Sequence, residues 1–207
     1  MTRAFAFVIL LSFSSLVAAT ADEVAVFDVQ WGQKRDRQTR SFAIAFFEKE
    51  ASYTAYNFKR LIASDFYVKT KIHRVIPNYL VQGGDPLSKG KNRSRVGTGG
   101  PGYTLPPEIN RPHLRGSVAM GRLGDAVNPR RLSNGSQFYV CLQPIPAQDG
   151  KDTVFGQVVA GLEALDEISR LPADSNANPI DPVVVTRAYL IDRSQLGGPP
   201  VRLPRRR

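Results

Sequence analysis

Cysteine is almost absent from this chain: Cys141 is the only one in 207 residues. No internal disulfide can form, so the folded domain must be held by its core alone. Cys141 lies in an apolar strand pattern, Phe138 to Leu142, which suits a buried inert thiol better than a nucleophile. Histidine is nearly as scarce. His73 and His113 have no partner spacing for zinc, and one cysteine adds nothing to them. His73, beside Arg74, reads as a structural hydrogen-bonder rather than a base. The G-x-S-x-G pattern of a nucleophile elbow is missing. Beyond the N-terminus no segment is apolar enough to cross a bilayer. Acidic residues are in deficit, 18 against 28 Lys and Arg, which leaves a net charge of +10. Nucleic acid is one reading of such charge. The basic clusters, Lys34–Arg40, Lys89–Arg95 and Arg202–Arg207, lack the interleaved aromatics that this reading needs. Solvated loops, or weak contact with acidic envelope polymers, account for them, and no nucleic-acid partner is expected.

Two glycine-rich stretches imitate nucleotide loops. Gly97-Thr98-Gly99-Gly100-Pro101-Gly102 fits G-x-G-x-x-G, yet no strand leads in and Pro101, Pro106 and Pro107 forbid a helix after it. A shaped loop is the better reading. Lys89-Gly90-Lys91 lacks both the spacing of a phosphate loop and the Ser or Thr that would meet magnesium. Asp149 and Asp152 bracket Gly150-Lys151 and read as shaping a turn. No metal, cofactor or covalent nucleophile is expected.

The ends differ from the middle. Arg3, an apolar run through Val17 and the small residues Ala18 to Ala21 read as a secretory signal over residues 1–21, cleaved after Ala19 or Ala21. After cleavage the chain is periplasmic or secreted, with no stable membrane insertion; the alternative reading of the same run is an uncleaved anchor, against which its length and its breaks at Ser12, Ser14 and Ser15 count. Residues 22–192 form one domain, enough for a single well-buried core. Residues 193–207, rich in Pro, Gly and Arg, read as a disordered basic tail.

Within the domain, alternation predicts strands over Val24–Trp31 and Ser41–Phe47, with Lys34–Arg40 as a charged hairpin loop. Ala51, Ala55, Phe58 and Leu61 recur at helical spacing and predict a helix from Ala51 to Ser64. Lys71–Gln82 is strand-like, broken at Pro77-Asn78. Short strands follow at Gly116–Met120, Gln137–Leu142 and Val154–Val159, then a helix at Leu162–Arg170 and a closing strand at Val183–Ile191. Many short strands, two separated helices and no βαβ rhythm indicate a mainly β barrel or sandwich.

The run Ile72 to Asp85, IHRVIPNYLVQGGD, sets Arg74 against Val75, Ile76, Pro77, Tyr79 and Leu80. A fixed cation beside an apolar wall can hold a greasy ring while polarising one atom on it. Arginine stays protonated near neutral pH, so it acts as a forked donor rather than a base. The run resembles the signature of the cyclophilins, the prolyl isomerases that rotate the bond before proline. Gly97–Leu105 (GTGGPGYTL) and Asn134–Val140 (NGSQFYV) extend the likeness in order, over about Val24 to Ile191. Gly97 to Ile109 looks especially like bacterial members. The resemblance implies a closed eight-stranded antiparallel β-barrel capped by two α-helices. It implies that Arg74 is the catalytic arginine and that Gln82 supports it and binds substrate backbone. Tyr79 and Leu80 would floor the proline pocket. Gly121 would contact the residue before proline. Gln137 would supply a polar contact and Tyr139 the pocket aromatic.

Two departures from the family pattern stand out. Ala147 and Gln148 replace the usual Trp or Phe before Asp149-Gly150-Lys151, and the sole tryptophan, Trp31, lies far upstream. Asp152 stands where many members carry His or Tyr. It brings a carboxylate to the substrate site that would compete for the Arg74 guanidinium if it reached it. Tyr in place of Phe at 79 and 139 makes the pocket more polar. The expected protein is a monomeric, exported peptidyl-prolyl cis-trans isomerase acting on proline-containing folding clients. The alternatives are a proline-binding, chaperone-like module with weak turnover, or an envelope-binding protein using its basic tail.

Overall fold

A computed structural model of the chain describes residues 22–197. The first strand, β1 (Glu23–Trp31), shows how sequence period becomes architecture. Ala25, Phe27, Val29 and Trp31 point into the main core, while Val24 and Val26 join a smaller cluster with Ala43, Ala45 and Ile191 on the opposite face. β1 pairs antiparallel with β2 (Gln38–Phe46), which puts Phe27 directly opposite Phe42. Their rings stack 5.2 Å apart and 6° from parallel. Trp31 is therefore a core residue, with the Arg40 guanidinium 5.8 Å over its ring.

The helix α1 (Ser52–Ala63) buries Ala55, Phe58, Leu61 and Ile62 as the helical spacing predicts. Phe58 is the hub of the core: its ring lies 4.8 Å from Phe155, 4.9 Å from Tyr67 and 5.3 Å from Phe138. Aromatic contacts of this kind add to the area each ring removes from water. Ala51, at the N-cap, has no side chain to close the helix. Glu108 does so from a distant loop, accepting Tyr53 N–H at 3.0 Å and Thr54 N–H at 2.9 Å. The second helix, α2 (Leu162–Ser169), starts from Gly161 at φ +75°, where a Cβ would meet the Ser41 carbonyl at 2.1 Å.

The remaining strands are β3 (Lys71–Ile72), β4 (Arg74–Ile76), β5 (Leu80–Gly83), β6 (Ser117–Met120), β7 (Phe138–Cys141), β8 (Val154–Ala160) and β9 (Val183–Asp192). Nine strands rather than eight form one antiparallel sheet, in the order β3-β9-β1-β2-β8-β6-β7-β5-β4. The extra strand is a matter of one residue. β3 and β4, at the two ends of that order, are separated in sequence only by His73, whose N–H donates to the Gln82 carbonyl at 2.9 Å. A single kinked segment thus hydrogen-bonds β9 on one side and β5 on the other, and the order returns on itself.

The residues just past Asp192 pack onto the domain. Arg193–Gln195 form a 3-10 turn capped by Asp192, and Leu196 packs against the Val24 and Ile191 cluster. The expected signal over 1–21 and the rest of the tail, 198–207, lie outside the described residues. Among the described residues no helix is long and apolar enough to cross a membrane.

Candidate active site

Strand register assembles the site. Across the outer face of the sheet, Arg74 on β4 stands opposite Gln82 on β5, Gln82 opposite Tyr139 on β7, and Tyr139 opposite Ala119 on β6. Alternation sends Val81 into the barrel core and leaves Leu80 and Gln82 on the other face. It does the same for Val140 against Tyr139 and Cys141. Leu80, Ala119, Tyr139, Cys141, Ile145 and Val154 form a second apolar cluster, with Tyr79 packed against it. Above this cluster lies a cavity of about 250 Å³, bordered by Arg74, Tyr79, Leu80, Gln82, Gly121, Arg122, Tyr139, Ile145, Gln148 and Asp152.

Arg74 is exposed at the rim. Its Nη1 donates to Gln82 Oε1 at 3.4 Å, and it has no carboxylate partner among the described residues. Gln82 Nε2 donates in turn to Gln137 Oε1 at 3.0 Å. Both Gln137 Nε2 bonds go to the glycine loop, at 2.9 Å to the Gly97 carbonyl and 2.8 Å to the Gly99 carbonyl. The Gln137 amide donors are thus committed inside the protein. Through its Oε1, Gln137 holds the Gln82 amide in place. Gly121 donates its N–H to the Gln137 carbonyl at 2.8 Å, and a Cβ at this position would come within 3.3 Å of Gln137 Cβ. Gln82, Gly121 and Gln137 also border a second cleft of about 460 Å³, with Thr98, Thr104, Leu123 and Val127 on its walls.

The glycine loop is shaped around protein groups, as expected. Buried Asp85 accepts from Leu87 N–H at 2.7 Å, from Gly99 N–H at 3.3 Å and from Gly97 N–H. These amides face a carboxylate of the chain itself. His73 departs from expectation. Its backbone N–H bonds the Gln82 carbonyl between β3 and β4, and its buried ring nitrogens face the Lys71 backbone and the Gln137 side chain without a well-formed hydrogen bond to either. Burial pulls its pKa below the ordinary histidine value.

Asp152 is engaged by other groups. Its Oδ1 accepts from Arg122 Nε at 2.6 Å and its Oδ2 from the Tyr139 hydroxyl at 2.7 Å. It therefore serves as a clamp on the pocket aromatic, and it does not reach Arg74. Burial, reinforced by the Asp152 charge, pushes the Tyr139 pKa well up, so the phenol remains a donor. The Tyr139 ring stacks on His113 at 6.0 Å and 6°. His113 is fixed by Asp149 Oδ1, which accepts its N–H at 2.7 Å and lies 3.0 Å from its Nδ1. Cys141 is fully buried and its thiol is pushed up to about 12, chiefly by burial. It is the inert thiol the sequence indicates.

Three residues were not foreseen: Arg122 and Ile145 on the pocket wall, and His113 stacked on Tyr139. Arg122 follows Gly121 directly, but nothing local ties it to a carboxylate 30 residues away. His113 carries the pocket aromatic from a loop with no repeating pattern.

Comparison with known proteins identifies the family. The family model for cyclophilin type peptidyl-prolyl cis-trans isomerase/CLD matches residues 34–190. A peptidyl-prolyl cis-trans isomerase-like 1 protein of Aspergillus niger is 34% identical over 159 residues, covering 77% of this chain and 94% of its own. A peptidyl-prolyl cis-trans isomerase of Synechococcus elongatus is 43% identical over 115 residues, covering 55% and 70%. Among solved structures, a Cryptosporidium parvum cyclophilin type isomerase superposes with a TM-score of 0.64 at 25% identity, over 80% of this chain and 98% of that one. A second structure of that protein, also with a TM-score of 0.64, was determined in the presence of the dipeptide ala-pro.

Proposed function

The chain belongs to the cyclophilin-type peptidyl-prolyl cis-trans isomerases, and from that premise we propose that Arg74 is its catalytic donor. Rotation about an X–Pro bond is opposed by amide resonance, a barrier of roughly 18–20 kcal/mol. A donor aimed at the prolyl nitrogen localises its lone pair and weakens that resonance. The pyrrolidine ring must stay still while the preceding carbonyl swings. Tyr79, Leu80, Tyr139 and Ile145 offer an apolar seat for the ring. Gly121 leaves room beside it for the residue before proline.

The observation that carries this reading is the register row Arg74–Gln82–Tyr139, with the guanidinium at the pocket rim and steadied through Gln82 by Gln137. Such catalysis is preorganised electrostatics and positioning, with no covalent step. The substrate class is proline-containing polypeptides, in keeping with the ala-pro dipeptide present with the related structure. The N-terminal pattern of Arg3, apolar run and Ala18–Ala21 favours newly exported proteins as clients, with the enzyme periplasmic or secreted. Slow proline isomerisation limits the folding of many such chains. N-terminal sequencing of the exported protein tests the signal, and a start at Met1 would overturn it.

The catalytic test is a protease-free assay on an X-Pro peptide. Wild type accelerates isomerisation, and Arg74→Ala removes about 10²–10³ of kcat/KM, the usual loss of one transition-state donor. Equal rates for wild type, variant and uncatalysed control would sink the assignment. They would favour a proline-binding module, a reading supported by Gln148 on the pocket wall where an aromatic is more usual.

A further inference from the structure

Arg122, Asp152 and Tyr139 form a polar cluster for which bond rotation itself has no use. Asp152 is only 8% exposed, and it borders the same cavity as Arg74. A carboxylate in that position is a rival to the prolyl nitrogen, because an ion pair with Arg74 would draw the guanidinium away. Asp152 is committed to other groups instead. The Arg122 side chain is 7% exposed and its Nε bonds Asp152 Oδ1 at 2.6 Å and the Lys151 carbonyl at 3.0 Å. Its Nη1 donates to the Leu123 carbonyl at 2.9 Å and meets Asp125 Oδ1 at 2.6 Å. Arg131 completes the fastening, bonding Asp125 Oδ2 at 3.1 Å and the Gly150 carbonyl at 2.6 Å. The loop after β6 is thereby stapled to the turn that carries Asp152.

We propose that Arg122 is a positioning residue that neutralises Asp152 and so leaves Arg74 free for substrate. This deepens the isomerase reading and rests on it. Arg122 is the better partner for two reasons. It is held among several fixed acceptors, whereas Arg74 is exposed and steadied by one 3.4 Å bond. It also forms the pair on the side of the turn, where the second carboxylate oxygen can still clamp the Tyr139 hydroxyl. Burial opposes charge on Arg122, but the Asp152 and Asp125 carboxylates outweigh it and raise its pKa.

The test compares Arg122→Met, Arg122→Met/Asp152→Asn and Arg122→Lys in the X-Pro assay, each with a thermal melt. Arg122→Met, which strands the carboxylate, should lower kcat/KM about tenfold. Added salt should recover part of that loss. Removing the charge at position 152 as well should restore activity to within about threefold of wild type. Removing a stranded buried charge also restores stability, so the melt is read beside the rate: activity lost by Arg122→Met at a temperature where it stays folded separates positioning from a merely structural staple. Arg122→Lys keeps the charge but not the forked contacts, and should retain clearly more activity than Arg122→Met. It carries the comparison with wild type should Arg122→Met fail to fold. A double variant no faster than Arg122→Met, or Arg122→Lys as slow as Arg74→Ala, would overturn the proposal. An inactive wild type would instead overturn the isomerase reading beneath it.

Discussion

Replacing Tyr139 with Phe, the residue many cyclophilins carry there, should destabilise this chain. The Tyr139 hydroxyl donates to Asp152 Oδ2 at 2.7 Å, and the two residues are 6% and 8% exposed. A hydrogen bond to a charged acceptor contributes about 1.5–3 kcal/mol. Two effects reduce that figure here. Arg122 still holds the other carboxylate oxygen, so Asp152 is not orphaned, and deleting the hydroxyl relieves its own desolvation. The expected net loss is about 1–2 kcal/mol, or a fall in Tm of about 3–6 °C for a domain of this size. Urea denaturation of Tyr139→Phe, Asp152→Asn and the double variant isolates the pair in a double-mutant cycle. The coupling should also lie near 1–2 kcal/mol. A coupling within about 0.5 kcal/mol of zero, or a Tyr139→Phe variant as stable as wild type, would refute the clamp.

Two further outcomes follow from the same surroundings. Cys141, with its thiol pushed up to about 12 by burial, should not react with a disulfide reagent at pH 8 until the chain is unfolded in denaturant; native labelling at the unfolded rate would contradict its placement. The Asp149 pKa is lowered, first by the His113 backbone N–H and then by its ring, so the folded state prefers the carboxylate. That stabilisation is present above the unfolded carboxylate value of about 4 and is lost as pH falls through the lower folded value. The Tm gap between wild type and Asp149→Asn should therefore close in acid, and a gap unchanged from pH 7 to pH 3 would count against it.

Local pattern carried much of the fold. β1, β2, α1 and α2 lie within a few residues of where alternation and helical spacing put them, because each element buries one regular face. Their closing interactions were not legible. Glu108 caps α1 across 54 residues, and Ala51 gives no sign that a cap is needed from elsewhere. The split of Lys71–Gln82 into three strands depends on which neighbour each part meets, β9 or β5. A single sequence does not encode that meeting locally.

The site divides in the same way. Residue chemistry and order, through the family resemblance they carry, pointed to the kind of reaction: a permanent cation beside an apolar seat. The IHRVIPNYLVQGGD run places Arg74 and Gln82 eight residues apart across one tight turn, so local chain geometry is enough to pair them. Whether Arg74 is left free was decided only by tertiary structure. Asp152 reads in sequence as a competitor, and becomes a clamp because the loop after β6 brings Arg122 to its other side. Electrostatic outcomes of this kind depend on distances of a few ångströms between groups far apart in the chain. The fold sets those distances, and the order of residues does not.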